Sequence, residues 1–309
     1  MVKSIFLIRC YYELDKIVNK WYNICMKNKE EINMSEKNSL DNRMKESYEN
    51  RSKTYLTRRV PVIIRLDGKA FHTFTKNLKK PYDEVFHKSM NDTLVYLCKN
   101  IQGCKIGYTQ SDEITLLLTD YDTITTSAWF EYGVQKVCSV ASSMATLAFN
   151  KAFAKNSRDI LRKINNCFTC TSEEEQYASA LEKCIDKGAM FDARCFNIPV
   201  DEVTNCFIWR QQDATRNAIQ MLGQCNFSHK ELHKKSTADI QDMLMLEKNI
   251  NFNDIPTEFK RGVCCIKKQI PSTERLVGYK TEWVIDKEIP IFTKDRSYIE
   301  NVLVTPEKV

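Results

Sequence analysis

The chain is expected to fold as an α+β protein with a ferredoxin-like, split βαβ sheet, and three features of the sequence carry that expectation. The run Val62-Ile-Ile-Arg-Leu66 is short, apolar and rich in β-branched residues, as a buried strand should be. Phe86, Met90, Leu94, Leu97 and Ile101 recur at three- and four-residue steps, which places them on one face of a helix over 84–101. Two strand-like runs, 105–109 and 114–118, flank Gln110-Ser-Asp-Glu113 and read as a β-hairpin. With a later helix and strand, the order becomes strand–helix–strand–strand–helix–strand, a sheet with helices on one face.

The remaining elements follow in chain order. A charged helix is expected over 40–55, leading to Arg58-Arg59 and Pro61. Asp67-Gly68 ends the first strand. A long helix over 128–154 is indicated by Phe130, Val134, Val137, Ala141, Met144 and Ala148. Residues 156–187 read as a charged, cysteine-containing insertion, either helical or looped. A strand at 190–198 precedes a helix that Pro199 opens and that Gly223 is expected to stop. Ser228-His-Lys-Glu231 is a capping-box pattern opening a further helix. Strand-like runs return around Trp283 in the tail. The domain reading is therefore an extension of uncertain role at 1–38, a catalytic region at 39–155, the insertion at 156–187, a helical part of the same domain at 188–270, and a strand-containing tail at 271–309.

Bulk composition narrows the function only modestly. With 43% hydrophobic and 28% charged residues, the chain is suited to a globular core. A net charge of +6 is compatible with a polyanionic partner, although many enzymes of small acids share it. No window approaches the ~18 apolar residues of a membrane span, so no membrane association is expected. Thirteen cysteines, an odd number in a chain of 309 residues, read as reduced thiols of an intracellular compartment. The cytoplasm is the expected location, with the mitochondrion as alternative. Cys167, Cys170 and Cys184 could form part of a zinc site, but a second pair is missing, and ordinary core or loop cysteines are the other reading.

Two carboxylates stand out by position. Asp67 ends the first strand and Asp112 sits at the hairpin turn; in a split βαβ sheet these strands are neighbours, so both carboxylates can face one point. Mg²⁺ takes oxygen ligands and keeps waters and substrate phosphates, so two aspartates and the Gly68 carbonyl suffice to hold a pair of ions. Paired ions can stabilise the attacking and leaving oxygens of an in-line phosphoryl displacement. The plainer alternative is a turn glycine and a hairpin aspartate. Lys69-Ala-Phe-His72 follows as a turn whose N–H groups can cradle phosphates. Phe71 could pack against a base or in the core, and His72 could contact phosphate or serve structurally. Lys136 and Ser139 could reach a triphosphate or face solvent. In Trp209-Arg-Gln-Gln-Asp213, Arg210 or Asp213 could orient a nucleotide or an RNA end, or pair internally.

These segments resemble the tRNA-histidine guanylyltransferase family. Residues 61–76, PVIIRLDGKAFHTFTK, look like its nucleotide and metal motif, and Gly107-Tyr-Thr-Gln-Ser-Asp-Glu113 like its second metal motif. Phe191-Asp-Ala-Arg194 and Trp209-Arg-Gln-Gln-Asp213 resemble two later blocks in the expected order. The resemblance covers about 40–268, with a poor match at 155–187.

The resemblance implies a polymerase-type palm with two Mg²⁺ ions held by Asp67, the Gly68 carbonyl and Asp112. Catalysis would rest on Asp67, Asp112 and Glu113. The nucleotide, GTP or ATP, would lie along Asp67, Gly68, Lys69, Ala70, Phe71, His72, Ser111 and Asp112, with Lys136 on its phosphates. The substrate would be a tRNA, activated at its 5′ end by ATP or GTP and extended in the 3′-to-5′ direction, and the assembly a homotetramer. One departure bears on the substrate. Members dedicated to histidine tRNA carry His-Ile-Asn-Asn after the tryptophan block, where this chain has Thr215-Arg216-Asn217-Ala218. That is more similar to the Thg1-like branch that repairs truncated 5′ ends against a template. Nucleotide cyclisation on a palm, or a non-catalytic RNA-binding palm, are the alternatives.

Overall fold

The computed structural model describes residues 39–166, 171–271 and 279–304, together with Lys16 and Lys20. The rest of the expected 1–38 extension and the Cys167–Cys170 pair lie outside the described residues. The chain divides into two compact units, Met1–Thr54 and Tyr55–Val309. In the first, the helix Leu40–Met44 is capped by Ser39, whose hydroxyl accepts from the Asn42 N–H at 3.2 Å. It runs on through a π turn, Lys45–Glu49, and a 3₁₀ turn, Asn50–Ser52, so the expected helix ends three residues early.

The second unit is built on a six-stranded antiparallel sheet in the order β4-β1-β3-β2-β5-β6. The strands are β1 Val62–Gly68, β2 Cys104–Gln110, β3 Glu113–Leu118, β4 Phe191–Asn197, β5 Val263–Pro271 and β6 Tyr279–Asp286. The first four stand in the expected split βαβ order. The long helices are α1 Glu84–Asn100, α2 Val134–Asn165, α3 Ser172–Lys187, α4 Val200–Asn226 and α5 Thr237–Lys248.

The strand pleat sorts side chains between two cores. Ile64, Leu66, Ile114 and Leu116 face α1, α2 and α3, where Leu94, Leu97, Ala145, Phe149 and Leu181 complete the larger core. Ile63, Ile106 and Leu117 face the other way, against Val203 and Phe207 of α4 and Phe292 and Ile299 of the tail. Helices therefore cover both faces, which corrects the one-face expectation. The cause is visible in β1, whose run Val62, Ile63, Ile64 is apolar on both sides of the pleat and needs cover on both. A third core joins the C-terminal half of α4 to α5 through Ile219, Leu222, Ile240 and Leu244.

Several expected boundaries move for local reasons. Phe130, Glu131 and Tyr132 adopt left-handed backbone angles, so α2 starts only after Gly133. It continues to Asn165 because Ile160 and Leu161 prolong the stripe packed on the core. Residues 156–165 and 172–187 are thus helical, and 155/156 falls inside α2 rather than at a boundary. α3 opens on a capping box between Thr171 and Glu174 and buries Tyr177, Leu181 and Cys184. Gly223 does not stop α4; a Cβ there would sit 2.8 Å from Ile240 Cγ2, so this glycine permits close helix packing instead. The Ser228–Glu231 capping box forms, but its helix is one turn long. β5 pairs with β2 and β6, so the 270/271 division cuts a sheet strand.

Gly107 in β2 lets α1 lie against the sheet: a Cβ there would meet Cys98 Sγ at 2.5 Å, Leu94 Cδ1 at 2.7 Å and Leu116 Cδ2 at 2.9 Å. Gly107→Val is expected to overpack this contact and lower the unfolding free energy by about 1–3 kcal/mol, read by urea denaturation.

Candidate active site

The β2–β3 hairpin closes with Gln110 opposite Glu113, leaving Ser111 and Asp112 as its two-residue loop. Ser111 takes a left-handed φ of 49°. The Gly68 N–H donates to the Asp112 carbonyl at 3.1 Å, tying the hairpin tip to the end of β1. Asp67, one residue earlier, lies opposite Glu113 on β3 and Asp192 on β4. The two carboxylates are near enough for the charge of one to act on the other. Burial pushes the Asp112 carboxyl up to about 6, a backbone hydrogen bond opposes that, and the nearby Asp67 charge raises it further. The Ser111 hydroxyl donates to Asp112 Oδ1 at 3.1 Å. Among the described residues no side chain donates to Asp67.

Two close carboxylates without a balancing cation, beside a backbone carbonyl at Gly68, form an all-oxygen donor set of the kind a hard divalent ion takes. The residues fit Mg²⁺ on that ground. Among the described residues no group of three His, Cys, Asp or Glu side chains is arranged to hold a metal ion by itself, so any ion here also needs carbonyls, water or substrate. Gly68 has a reason of its own to be glycine: a Cβ would stand 2.3 Å from the Phe71 ring.

Beyond the end of β1 lies a cavity of about 410 Å³. Gly68, Ala70, Phe71, His72, Ser111 and Asp112 form one wall. Phe71 is 4% exposed and packs on Phe74, Phe149 and Phe191, so it is a core ring that shows only an edge to the cavity. His72 is exposed. The Lys69 N–H is already bonded to the Met190 carbonyl at 2.9 Å, leaving the turn's remaining N–H groups and the exposed Lys69 ammonium for an anion.

The opposite walls were not legible as site residues. Lys79, Lys80 and Tyr82 come from the loop before α1, Asn217 and Met221 from α4, and Glu258 and Phe259 from the short helix Thr257–Arg261. Tyr82 stacks on Phe259 at 4.3 Å, and its hydroxyl is buried without a hydrogen-bond partner among the described residues; burial pushes it up to about 12. His87 Nε2 lies 2.9 Å from Glu258, which also pairs with Lys287 at 3.0 Å. Burial lowers His87 despite that carboxylate. It pushes Glu258 up, but the hydrogen bonds from Lys287 and His87 outweigh it and hold the carboxyl below its usual range.

Glu113 shares the α4 face of the sheet with Asp67 but is committed to arginines, and Lys136 stands apart. Glu113 points to the α4 face, where Arg65 donates to it at 3.0 Å and Arg210 Nε lies 3.2 Å away without hydrogen-bond alignment. Arg210 also pairs with Asp213 at 2.6 Å, and Arg216 with the same carboxylate. Glu113 is therefore committed to a largely buried ion network, and Arg210 and Asp213 pair internally. Lys136 is exposed, does not line the cavity, and holds its ammonium over the Phe130 ring at 4.8 Å. Cys138 on its helix touches Cys195, opposite Ile64, whereas Thr146 bonds Phe191, opposite Gly68. Lys136 thus belongs to the far end of β1, with Ser139 one turn on. Cys184 is buried with its Sγ 3.2 Å from the Phe74 carbonyl.

The family model described as tRNAHis guanylyltransferase matches residues 41–199. A bacterial tRNA(His) guanylyltransferase-like protein solved in complex with ATP aligns with TM-score 0.71 and 42% identity, over 86% of this chain and 100% of that one. A structure of such a protein in complex with GTP aligns with TM-score 0.68 and 38% identity, over 86% and 99%. A probable tRNA(His) guanylyltransferase of Dictyostelium discoideum is 25% identical, over 82% of this chain and 89% of that protein.

The raised Asp112 carboxyl has a cost that can be measured without metal. Its ionised form is disfavoured in the fold, so stability is lost as pH rises from about 4 through about 6 and stays lost above. Asp112→Asn is expected to stabilise the metal-free protein at pH 8 by on the order of 2–3 kcal/mol, seen as a higher melting temperature, and to lose that advantage at pH 4. Thermal unfolding in chelator at both pH values checks it.

Proposed function

This chain belongs to the tRNAHis guanylyltransferase family and is a nucleotidyltransferase, and from that premise we propose that it extends tRNA 5′ ends in the 3′-to-5′ direction, chiefly as template-dependent repair. The observation that carries this reading is the Asp67–Asp112 pair, with Asp112 in the wall of a cavity of nucleoside size. A nucleoside triphosphate, ATP or GTP, is held in the cavity to activate the RNA end. Its phosphates lie toward Lys69, His72 and Ser111, and its nucleoside toward Tyr82 and Asn217. Two Mg²⁺ ions, held by Asp67, the Gly68 carbonyl and Asp112, supply stabilisation of negative charge on the phosphoryl oxygens. Asp67 and Asp112 orient that charge-balancing centre, and the hydrogen bond from Gly68 to the hairpin keeps their spacing fixed. Glu113 acts by positioning: it anchors Arg65 and Arg210 beneath the centre and makes no contact with substrate.

Thr215-Arg216-Asn217-Ala218 supports repair over dedicated histidine-tRNA work. Arg216 is turned to Asp213, and Asn217 faces the cavity. A homotetramer in the cytoplasm is the proposed working form.

The test is extension of a tRNA lacking its first nucleotide, with labelled nucleotides and Mg²⁺, read by sequencing 5′ ends. Templated addition by the wild type is expected, with Asp67→Ala and Asp112→Ala each reducing it by on the order of a thousandfold. A cyclic product formed without RNA, or RNA binding with no turnover, would replace this reading with cyclisation or with binding alone.

A further inference from the structure

Outside the cavity, the sheet carries a second exposed feature beside the carboxylates. Arg65 and Asp67 share one face of β1, and across β4 the same rows hold Arg194 and Asp192. β4 is the edge strand. Arg194 pairs with Asp192 at 3.1 Å, and its side chain is 56% exposed. Beside Arg65, the cross-strand partner of Arg194, lies Trp209 of α4, 51% exposed, while its neighbour Arg210 is 4% exposed. The Arg210 guanidinium sits 4.0 Å from the indole centroid and that of Arg65 5.1 Å. Arg65 and Arg210 are themselves fixed by Glu113.

We propose that Trp209, Arg194 and Arg65 form a platform for the 5′-terminal nucleotide of the RNA, its base against the indole and its phosphate against the guanidiniums. This rests on the proposed function, because it assigns that reaction's second substrate a place. Single exposed apolar residues need no explanation, but this indole is held in place by two guanidiniums that are themselves ion-paired, so ordering it costs little on binding. Aromatic platforms flanked by positive charge suit nucleic-acid ends, since every base has a π-face and every linkage a negative charge. Shape separates the two substrates. A free nucleotide suits a cavity enclosed by several elements, whereas a polymer needs an open edge along which its chain can continue, and β4 provides one. Neither Trp209, Arg65 nor Arg194 lines the cavity, and the row of Asp67 lies next to theirs. The reacting end is thereby brought to the carboxylates from the strand side, and the activating nucleotide from beyond the strand end.

The experiment measures RNA affinity by fluorescence anisotropy with full-length protein in chelator, so it does not depend on turnover. The probes are a 5′-phosphorylated tRNA lacking its first nucleotide and the same RNA with an abasic 5′-terminal residue. Trp209→Ala is expected to weaken the intact RNA by about 5- to 100-fold, as loss of one base–aromatic stack does, and Trp209→Phe to restore most of it. On the abasic RNA, Trp209→Ala and wild type should bind alike. Arg194→Gln should weaken both RNAs and flatten the salt dependence by about one ion. ATP affinity should be unchanged in all variants. Equal weakening of intact and abasic RNA by Trp209→Ala would overturn the proposal. So would unchanged RNA affinity, or a loss of GTP affinity instead, which would make this a free-triphosphate site. The proposed extension reaction would survive those results, because it is read separately through Asp67 and Asp112.

Discussion

The site depends on one hydrogen bond and the pairing behind it. The Gly68 N–H reaches the Asp112 carbonyl because β1 and β3 are antiparallel neighbours and the hairpin turns after Gln110. That link fixes two carboxylates against each other in a half-buried place. Side-chain alternation makes such an arrangement unforgiving: a one-residue slip of β1 against β3 would send Asp67 into the apolar core that Leu66 now fills. Both neighbours of β1 oppose the slip, since β3 and β4 hold it along its length.

The cores explain why the strands hold that register. Each side of β1 is packed by helices, so displacing it exposes apolar surface on two faces at once. The charged network on the α4 face is different in kind. Buried ion pairs are poor contributors to net stability, because desolvation offsets most of their attraction. What the Arg65–Glu113–Arg210–Asp213 chain provides is fixed direction, holding guanidiniums at set positions under Trp209 and beside Asp67.

Much of this was legible in the sequence, for reasons that are local. Val62–Leu66, the hairpin and the α1 stripe are short-range patterns, and the split βαβ order follows from their succession. Asp67 and Asp112 could be placed together because topology alone puts their strands side by side. What escaped depended on distant partners. Gly223 looks like a stop signal until Ile240 packs against it. Lys136 shares a helix with residues near the site yet lies at the wrong end of β1, which spacing along one helix cannot reveal. The far walls of the cavity, Tyr82, Asn217 and Phe259, are gathered from three segments with no common motif. Glu113 lies beside Asp67 on the neighbouring strand, but its partners Arg65 and Arg210 come from β1 and α4, and Arg210 is distant in sequence.

Helix α4 carries parts of both proposed nucleotide stations, Trp209 near its middle and Asn217 two turns further on. Eight residues of α-helix span about 12 Å, a length set by the rise of the backbone rather than by any side chain. The helix is thus a stiff ruler between an edge-strand platform and an enclosed chamber. Point changes can alter the grip at either mark, but only inserting or deleting residues between them would change the interval.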